Sequence, residues 1–341
     1  MIKLSIIIPA YNVASWIEAT LESIYCSQGV DLATVEVVVV NDGSKDDTAQ
    51  VVEAYIESHP EMNIHLLPLF QGRAGERLNQ GVSAARNRGL REAKGEYVWF
   101  MDGDDMLTPF AIRSVFDIMN QHPGVDVIKT RIPRTFFNEQ EVENLPEVHD
   151  KPIPCVPTKL FNEPYSGLYI YHGRHIWRRE LLVSHGIEYP VGIVINEDFC
   201  FTIQAMMKAE TAVEAPWLQA YLYRKRGGSV TDIRKYPEKF MPKVESGLKA
   251  LQLMLKYLPT VGYREDIRVR NLMIAMNITH ILDPLPLSFV CRALRNLEEM
   301  GAYPFTPEQD HSRLLRFVMQ HKWAIIAVSQ IRRMKYIIGK T

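Results

Sequence analysis

The chain has 341 residues, 47% of them hydrophobic, with 39 Lys and Arg against 40 Asp and Glu. That length suits one large domain or two modest ones, the hydrophobic share suits a full buried core, and the near-neutral balance makes no demand for nucleic acid as a partner. Four cysteines, Cys26, Cys155, Cys200 and Cys291, have no paired spacing and read as reduced thiols of a cytoplasmic protein.

The opening residues, Met1 to Pro9, are too short for a signal peptide and read as a first strand, Leu4 to Ile8. No stretch approaches the length of a membrane-spanning helix. Ala14 to Ser27 has helical character. Val35 to Val40 is a β-branched run, too short and too uniform for a helix, as in a central parallel strand. Asp46 to Ser58 reads as a helix, Ile64 to Leu67 as a strand, Glu76 to Lys94 as a helix stopped by Gly95, and Glu96 to Met101 as a fourth strand. This βαβαβαβ order predicts an α/β fold with a mostly parallel sheet.

A helix over Thr108 to Gln121 and a strand over Val125 to Thr130 follow. Residues 133–164, rich in proline and polar residues, read as a long excursion of the kind that often selects a ligand. Tyr165 to Trp177 is strand-like, Asn196 to Ala209 helical, and Ala215 to Tyr223 strand-like. Beyond Tyr236 the pattern is helical, which places a boundary near 235: a domain over 1–235 and a helical extension over 236–341.

The candidate chemistry sits at strand ends, where open parallel sheets hold ligands. Asp102-Gly103-Asp104-Asp105 follows the fourth strand. Three carboxylates in four residues repel one another, and hard oxygen ligands on a short loop suit Mg²⁺ or Mn²⁺, which would grip a diphosphate. Asp105 can instead be a helix cap before Thr108-Pro109. Asp42, in Asn41-Asp42-Gly43-Ser44, can accept a hydrogen bond from a base or a ribose, or simply belong to a strand–turn–helix corner. Neither a glycine-rich dinucleotide fingerprint nor a P-loop is present, so phosphates need the acidic loop as their anchor. Without a glycine-rich, cationic N-terminal loop, nucleotidyl transfer has no support.

Four ordered segments, Ser5-Ile6-Ile7-Ile8-Pro9-Ala10-Tyr11-Asn12, Val40-Asn41-Asp42-Gly43-Ser44, Ala85-Arg86-Asn87-Arg88-Gly89 and Phe100-Met101-Asp102-Gly103-Asp104-Asp105, resemble family 2 glycosyltransferases. The resemblance implies the GT-A fold, nucleotide-sugar donors and, position by position, a set of roles. Pro9, Tyr11 and Asp42 would contact the nucleoside. Arg86 would lie under the nucleotide, or form a salt bridge to Asp42 or the acidic loop. Asp102 would approach ribose or metal, and Asp104 would bind the metal at the diphosphate. Gly103 stands where the family often has Ser.

Asn196-Glu197-Asp198-Phe199 resembles the family's Glu-Asp motif. Its Asp198 would be the general base of an inverting transfer, with Glu197 orienting it or touching the acceptor; alternatively both acids stabilise a helix N-terminus. Tyr221 to Val230 looks like the family's segment after the last strand, so Arg224 or Arg226 would close over the leaving diphosphate, unless the segment is a solvated basic turn. His172 and His175 make a poor zinc pair without a third ligand. Trp177 would stack on an acceptor sugar or belong to the core.

After Asp310 there is no acid, while Arg313, Arg316, Lys322, Arg332, Arg333, Lys335 and Lys340 alternate with aromatic and aliphatic residues. Two amphipathic helices over 311–338 would dock peripherally on an anionic inner membrane leaflet, or pack as a helical cap on the catalytic domain. The expected function is metal-dependent, inverting sugar transfer from a UDP-sugar to a glycan or lipid-linked acceptor in surface polysaccharide synthesis. The alternative is a non-catalytic nucleotide-sugar-binding scaffold subunit.

Overall fold

A β-branched run can be buried on both faces only inside a sheet, and that is the place of Val35–Asn41 (β2). In the computed structural model it lies between β1 (Leu4–Ala10) and β3 (Asn63–Pro68), parallel to both, with Ile7 opposite Val38. The structure describes residues 1–68, 79–136, 156–157, 171–225, 240–258, 264–304 and 312–338. Alternation along β2 sends Val37 and Val39 into one cluster with Ile17, Leu21, Val52 and Val115, and Val38 and Val40 into another with Ala84 and Ala85. Each such buried valine contributes about 1.5–3 kcal/mol.

The helices α1 (Ile17–Tyr25), α2 (Thr48–Ser58) and α3 (Val82–Glu92) alternate with β1, β2, β3 and β4 (Tyr97–Phe100). β4 runs parallel to β1, with Phe100 opposite Ile7. Beyond it come β5 (Met106–Leu107), α4 (Ala111–Gln121), β6 (Val127–Thr130), β7 (Arg134–Phe136), β8 (Val156–Pro157), β9 (His175–Arg178), α5 (Arg179–Ser184), α6 (Glu197–Met206), β10 (Thr211–Ala215) and β11 (Tyr221–Arg224). The main sheet is ordered β3-β2-β1-β4-β9-β6-β10-β8. β9 is antiparallel to both β4 and β6, so the sheet is mixed beyond β4. A smaller sheet, β5-β11-β7, stands at the end of the acidic loop.

Two sequence expectations are corrected. The helix predicted from Glu76 begins at Val82: Asn79 to Gly81 are not helical, and Gly81 has φ +91, outside any right-handed helix. Residues 76–78 lie outside the described residues. The strand predicted over Ala215 to Tyr223 is two strands in two sheets. Pro216 has no N–H for a ladder, and Leu218 N–H closes a turn on the Ala215 carbonyl at 3.0 Å, so β10 ends and β11 starts afresh between β5 and β7.

Towards the C-terminus the described residues form α7 (Phe240–Met254), α8 (Arg264–Ile281), α9 (Leu287–Glu299), α10 (Arg313–Gln320) and α11 (Lys322–Ile338). No described helix is long and apolar enough to cross a membrane. The chain divides into two compact units, residues 1–192 with 204–226, and residues 193–203 with 227–341. The start of α6 therefore belongs to the second unit. There, Ser246 Oγ on α7 accepts the N–H groups of Val194 (2.8 Å) and Ile195 (3.1 Å).

Candidate active site

The motif Ala85-Arg86-Asn87-Arg88-Gly89 explains itself on α3. A Cβ on Gly89 would stand 2.3 Å from Ile7 Cγ2, so only glycine lets the helix lie this close to β1. Asn87 exchanges two hydrogen bonds with the Tyr189 backbone, at 2.7 and 2.8 Å. Those contacts fix the helix so that Arg86, buried with its guanidinium 4.9 Å from the centre of the Tyr189 ring, reaches the carboxyl end of β4.

At that end the acidic loop is held from several sides. Arg86 Nη2 donates to Asp102 Oδ1 at 2.8 Å, and His172 Nε2 lies 3.3 Å from the same oxygen. The Asp102 N–H donates to the Tyr221 hydroxyl (2.9 Å), which donates to Asp105 Oδ2 (2.8 Å). The Tyr171 hydroxyl donates to the same Asp105 oxygen (2.9 Å), and the Arg224 N–H to Asp105 Oδ1 (2.8 Å). Arg224 Nε donates to the Asp104 carbonyl (2.7 Å), with its guanidinium 4.7 Å from the Phe136 ring centre. Thr20 Oγ1, on α1, lies 2.8 Å from the Asp105 carbonyl. A Cβ on Gly103 would press on Val13 Cγ2 (3.2 Å) and the Pro9 carbonyl (3.3 Å), so the missing side chain fits the local crowding.

These surroundings drive neighbouring acids apart. Burial opposes the charge of Asp102, but His172 and the Arg86 guanidinium outweigh it and hold the carboxyl well below the usual carboxylate range. For Asp105, burial and the adjacent Asp102 and Asp104 charges push the carboxyl well above that range. Asp105 is therefore no helix cap: fully buried, its carboxyl is the hub on which β11 and Tyr171 fasten the loop. Arg86 does form a salt bridge to the acidic loop, through Asp102.

One oxygen from each of Asp102, Asp104 and Asp105 falls within 4.8 Å of the others. Asp105 spends its oxygens on three donors, whereas Arg86 and His172 both meet Asp102 at Oδ1, and Asp104 is only half-buried. Asp102 and Asp104 thus offer the hard oxygen pair that suits Mg²⁺ or Mn²⁺.

The other expected positions are more scattered. Pro9 is buried at the end of β1, and Tyr11 beyond it is exposed. Asp42, at the end of β2, is buried, with its oxygens accepting the N–H groups of Gln80 (2.7 Å) and Gly81 (2.8 Å); burial raises its carboxyl despite these donors. Arg224 is buried in β11, and Arg226 lies outside the described residues. Glu197 and Asp198 open α6 in the second unit, half-buried, and Asp198 Oδ1 accepts the Phe199 N–H at 2.9 Å. Trp177 is core, buried and stacked on His175 at 5.4 Å between ring centres. Sequence reasoning missed His172, Tyr171 and Tyr221 as partners of the loop. Only the aromatic and histidine density of 171–177 signalled the first two, and Tyr221 stood out only as the first residue of the family-like segment that carries Arg224.

Residues 5–185 match the family model Glycosyl transferase family 2. The uncharacterized glycosyltransferase EpsJ of Bacillus subtilis (strain 168) is 28% identical over 239 residues, covering 68% of this chain and 64% of EpsJ. The poly(ribitol-phosphate) beta-N-acetylglucosaminyltransferase TarS of Staphylococcus aureus is 28% identical over 248 residues, covering 70% of this chain and 39% of TarS. The chain thus spans less than two thirds of the length of either relative. Among solved structures, S. aureus TarS 1-349 in complex with UDP superposes with a TM-score of 0.70 at 20% identity, covering 99% of this chain and 92% of that one. The mannosyltransferase PcManGT from Pyrobaculum calidifontis, in complex with GDP-Man and Mn²⁺, gives 0.53 at 16% identity, covering 97% and 87%. These likenesses establish the GT-A fold. With a family model that spans more than half of its length, the chain belongs to glycosyl transferase family 2.

Proposed function

We propose that this protein moves a sugar, with inversion, from a nucleotide-diphosphate donor to a hydroxyl of a glycan or lipid-linked acceptor in surface polysaccharide or teichoic acid synthesis. A UDP-sugar is the donor this reading favours, in keeping with the UDP held by TarS. The observation that carries the reading is the pair Asp102 and Asp104, presented at the carboxyl end of β4 by a buried frame of Arg86, His172, Tyr221 and Asp105.

Asp102 and Asp104 would hold a divalent cation, Mn²⁺ or Mg²⁺, which would supply Lewis-acid neutralisation of the diphosphate. His172 and Arg86 keep Asp102 ionised, and both meet it at Oδ1. Pro9 and Tyr11 border the nucleoside. Asp42 serves the base with its second acceptor sites, since each oxygen has so far taken one backbone N–H. Asp198 takes the proton of the acceptor hydroxyl as that oxygen attacks the anomeric carbon, with Glu197 orienting it; the bond from that carbon to the diphosphate oxygen breaks and the nucleoside diphosphate leaves. Arg224 is committed to the Asp104 carbonyl and the Phe136 ring, so the role of the cation over the diphosphate is given to Arg226.

The test is release of nucleoside diphosphate from UDP-, GDP- and dTDP-sugars with Mn²⁺, with Mg²⁺ and with EDTA, in the presence of a panel of lipid-linked and polymeric acceptors. Metal-dependent release from one donor, lost in both Asp104→Asn and Asp198→Asn, is the expected result. Donor binding without turnover across the panel would favour the scaffold reading. Release unaffected by EDTA would overturn the role given to the acidic loop.

A further inference from the structure

The C-terminal helix pair has two apolar faces, and among the described residues only one of them is buried inside the second unit. The inner face of α11 buries Ala324, Ile325 and Ser329. It is tied down by Ser329 Oγ to the Asp283 carbonyl (2.7 Å), Gln330 Nε2 to the Leu285 carbonyl (3.1 Å) and Arg332 Nη1 to the Leu282 carbonyl (3.2 Å). On the opposite side Trp323, Ala327, Ile331, Met334, Ile337 and Ile338 follow one another at helical spacing, and all are exposed, Trp323 at 63% and Ile338 at 71%. The stripe continues onto α10. The Phe317 ring meets Trp323 edge-on at 5.6 Å, and Leu314, one turn earlier, is 75% exposed.

On α10 and α11 themselves the charges beside this stripe have one sign. Arg333 and Lys335 lie on either side of it on α11, and Arg313 and Arg316 stand beside Leu314 and Phe317 on α10. None of the four forms an ion pair among the described residues, in contrast to Lys322, which pairs with Glu298. Residues 311–341 contain no acid. Pairing two copies through this face would set these cations against their own equivalents without compensation. A polyphosphate partner would satisfy the cations and leave the apolar stripe in water. An anionic bilayer takes both, with the apolar residues entering the headgroup–acyl boundary and the cations meeting lipid phosphates.

We propose that the outer face of α10 and α11 docks the protein on the surface of an anionic lipid bilayer. The proposal is independent of the sugar-transfer reading and is tested without donor or acceptor. The full chain is sedimented with vesicles of phosphatidylcholine alone and of phosphatidylcholine mixed with phosphatidylglycerol, at low and high salt. Binding to the mixed vesicles, weakened by salt and absent with the neutral ones, is expected. Arg333→Gln with Lys335→Gln should weaken partitioning about 30-fold, and Ile331→Ser with Met334→Ser about tenfold or more. Circular dichroism and the urea midpoint should stay at the parental values in both double variants, so that loss of binding is not loss of fold. No sedimentation with either vesicle overturns the proposal, as does equal binding to neutral vesicles or by both double variants. A change of mass in sedimentation velocity on Ile331→Ser with Met334→Ser, with vesicle binding unchanged, would make a second copy the occupant of this face and equally overturn it.

Discussion

Two regions of this molecule concentrate charge of one sign, and they treat it in opposite ways. The acids at 102–105 are framed by buried partners from α1, α3, β11 and the segment before β9, which hold Asp102 ionised and push Asp105 towards its neutral form. The bases of α10 and α11 stand around an exposed apolar stripe, most of them without an ion-pair partner among the described residues. A framed cluster does its work through fixed geometry. An unframed one works through the total field and area it offers to a large partner.

The sharpest way to break this comparison is Asp104→Asn. Asp104 is half-buried, so the substitution should spare the fold and lower metal-dependent release of nucleoside diphosphate on the order of a thousandfold. An unchanged rate would make the loop a structural corner. Next is Asp105→Ala, which strands the hydroxyls of Tyr171 and Tyr221 and the Arg224 N–H in the interior. Unfolding free energy should fall by about 3 kcal/mol in urea titrations. Asp105→Asn is neutral in a place that disfavours charge, keeps an oxygen for the Arg224 N–H and turns its NH2 to the tyrosine hydroxyls, which can accept, so it should cost less than Asp105→Ala, about 1 kcal/mol. Equal losses for the two would refute the raised carboxyl.

Tyr221→Phe deletes the hydroxyl that links the Asp102 N–H to Asp105, and should cost about 1–2 kcal/mol together with roughly a tenfold drop in turnover. A stability loss with no drop in turnover would separate the frame from the chemistry. Asp126 provides a framed acid with the opposite shift from Asp105. Burial opposes its charge, but the N–H of Glu210 and Arg178, among other donors, outweigh burial and depress the carboxyl. Its stabilisation is therefore fully present above the ordinary value of 3.8 and fades as pH falls through the lower folded value. Urea midpoints followed down from about pH 5 should show an acid-side decline that is smaller in Asp126→Asn. The smallest effect is expected in the unframed region. Arg333→Gln with Lys335→Gln should change folding stability by no more than about 0.5 kcal/mol, whatever it does to vesicle binding.

Much of the fold was legible because its signals are local. The uniform β-branched run of β2 and the alternation of strand and helix up to β4 depend on neighbours along the chain. So do the helices after residue 240. The insertion of β9 antiparallel between β4 and β6, and the break that sends β11 into a second sheet, depend on partners many residues away and carry no local mark beyond Pro216.

The same division runs through the candidate site. Asp102, Asp104 and Arg86 stood out in the sequence, since like charges packed into one short loop, with a motif-borne cation upstream, are a local pattern that invites a chemical reading. That Asp105 is a buried hub and not a helix cap, that His172 and Tyr221 belong to the acidic loop, and that Arg224 is occupied by Asp104 and Phe136 were settled by contacts between residues up to 120 positions apart. A sequence displays which groups are charged and how they repeat, because those properties belong to each residue and its near neighbours. Which of them are buried, paired or left at the surface is decided by tertiary packing, because desolvation and hydrogen bonding act over ångströms in space and not along the chain.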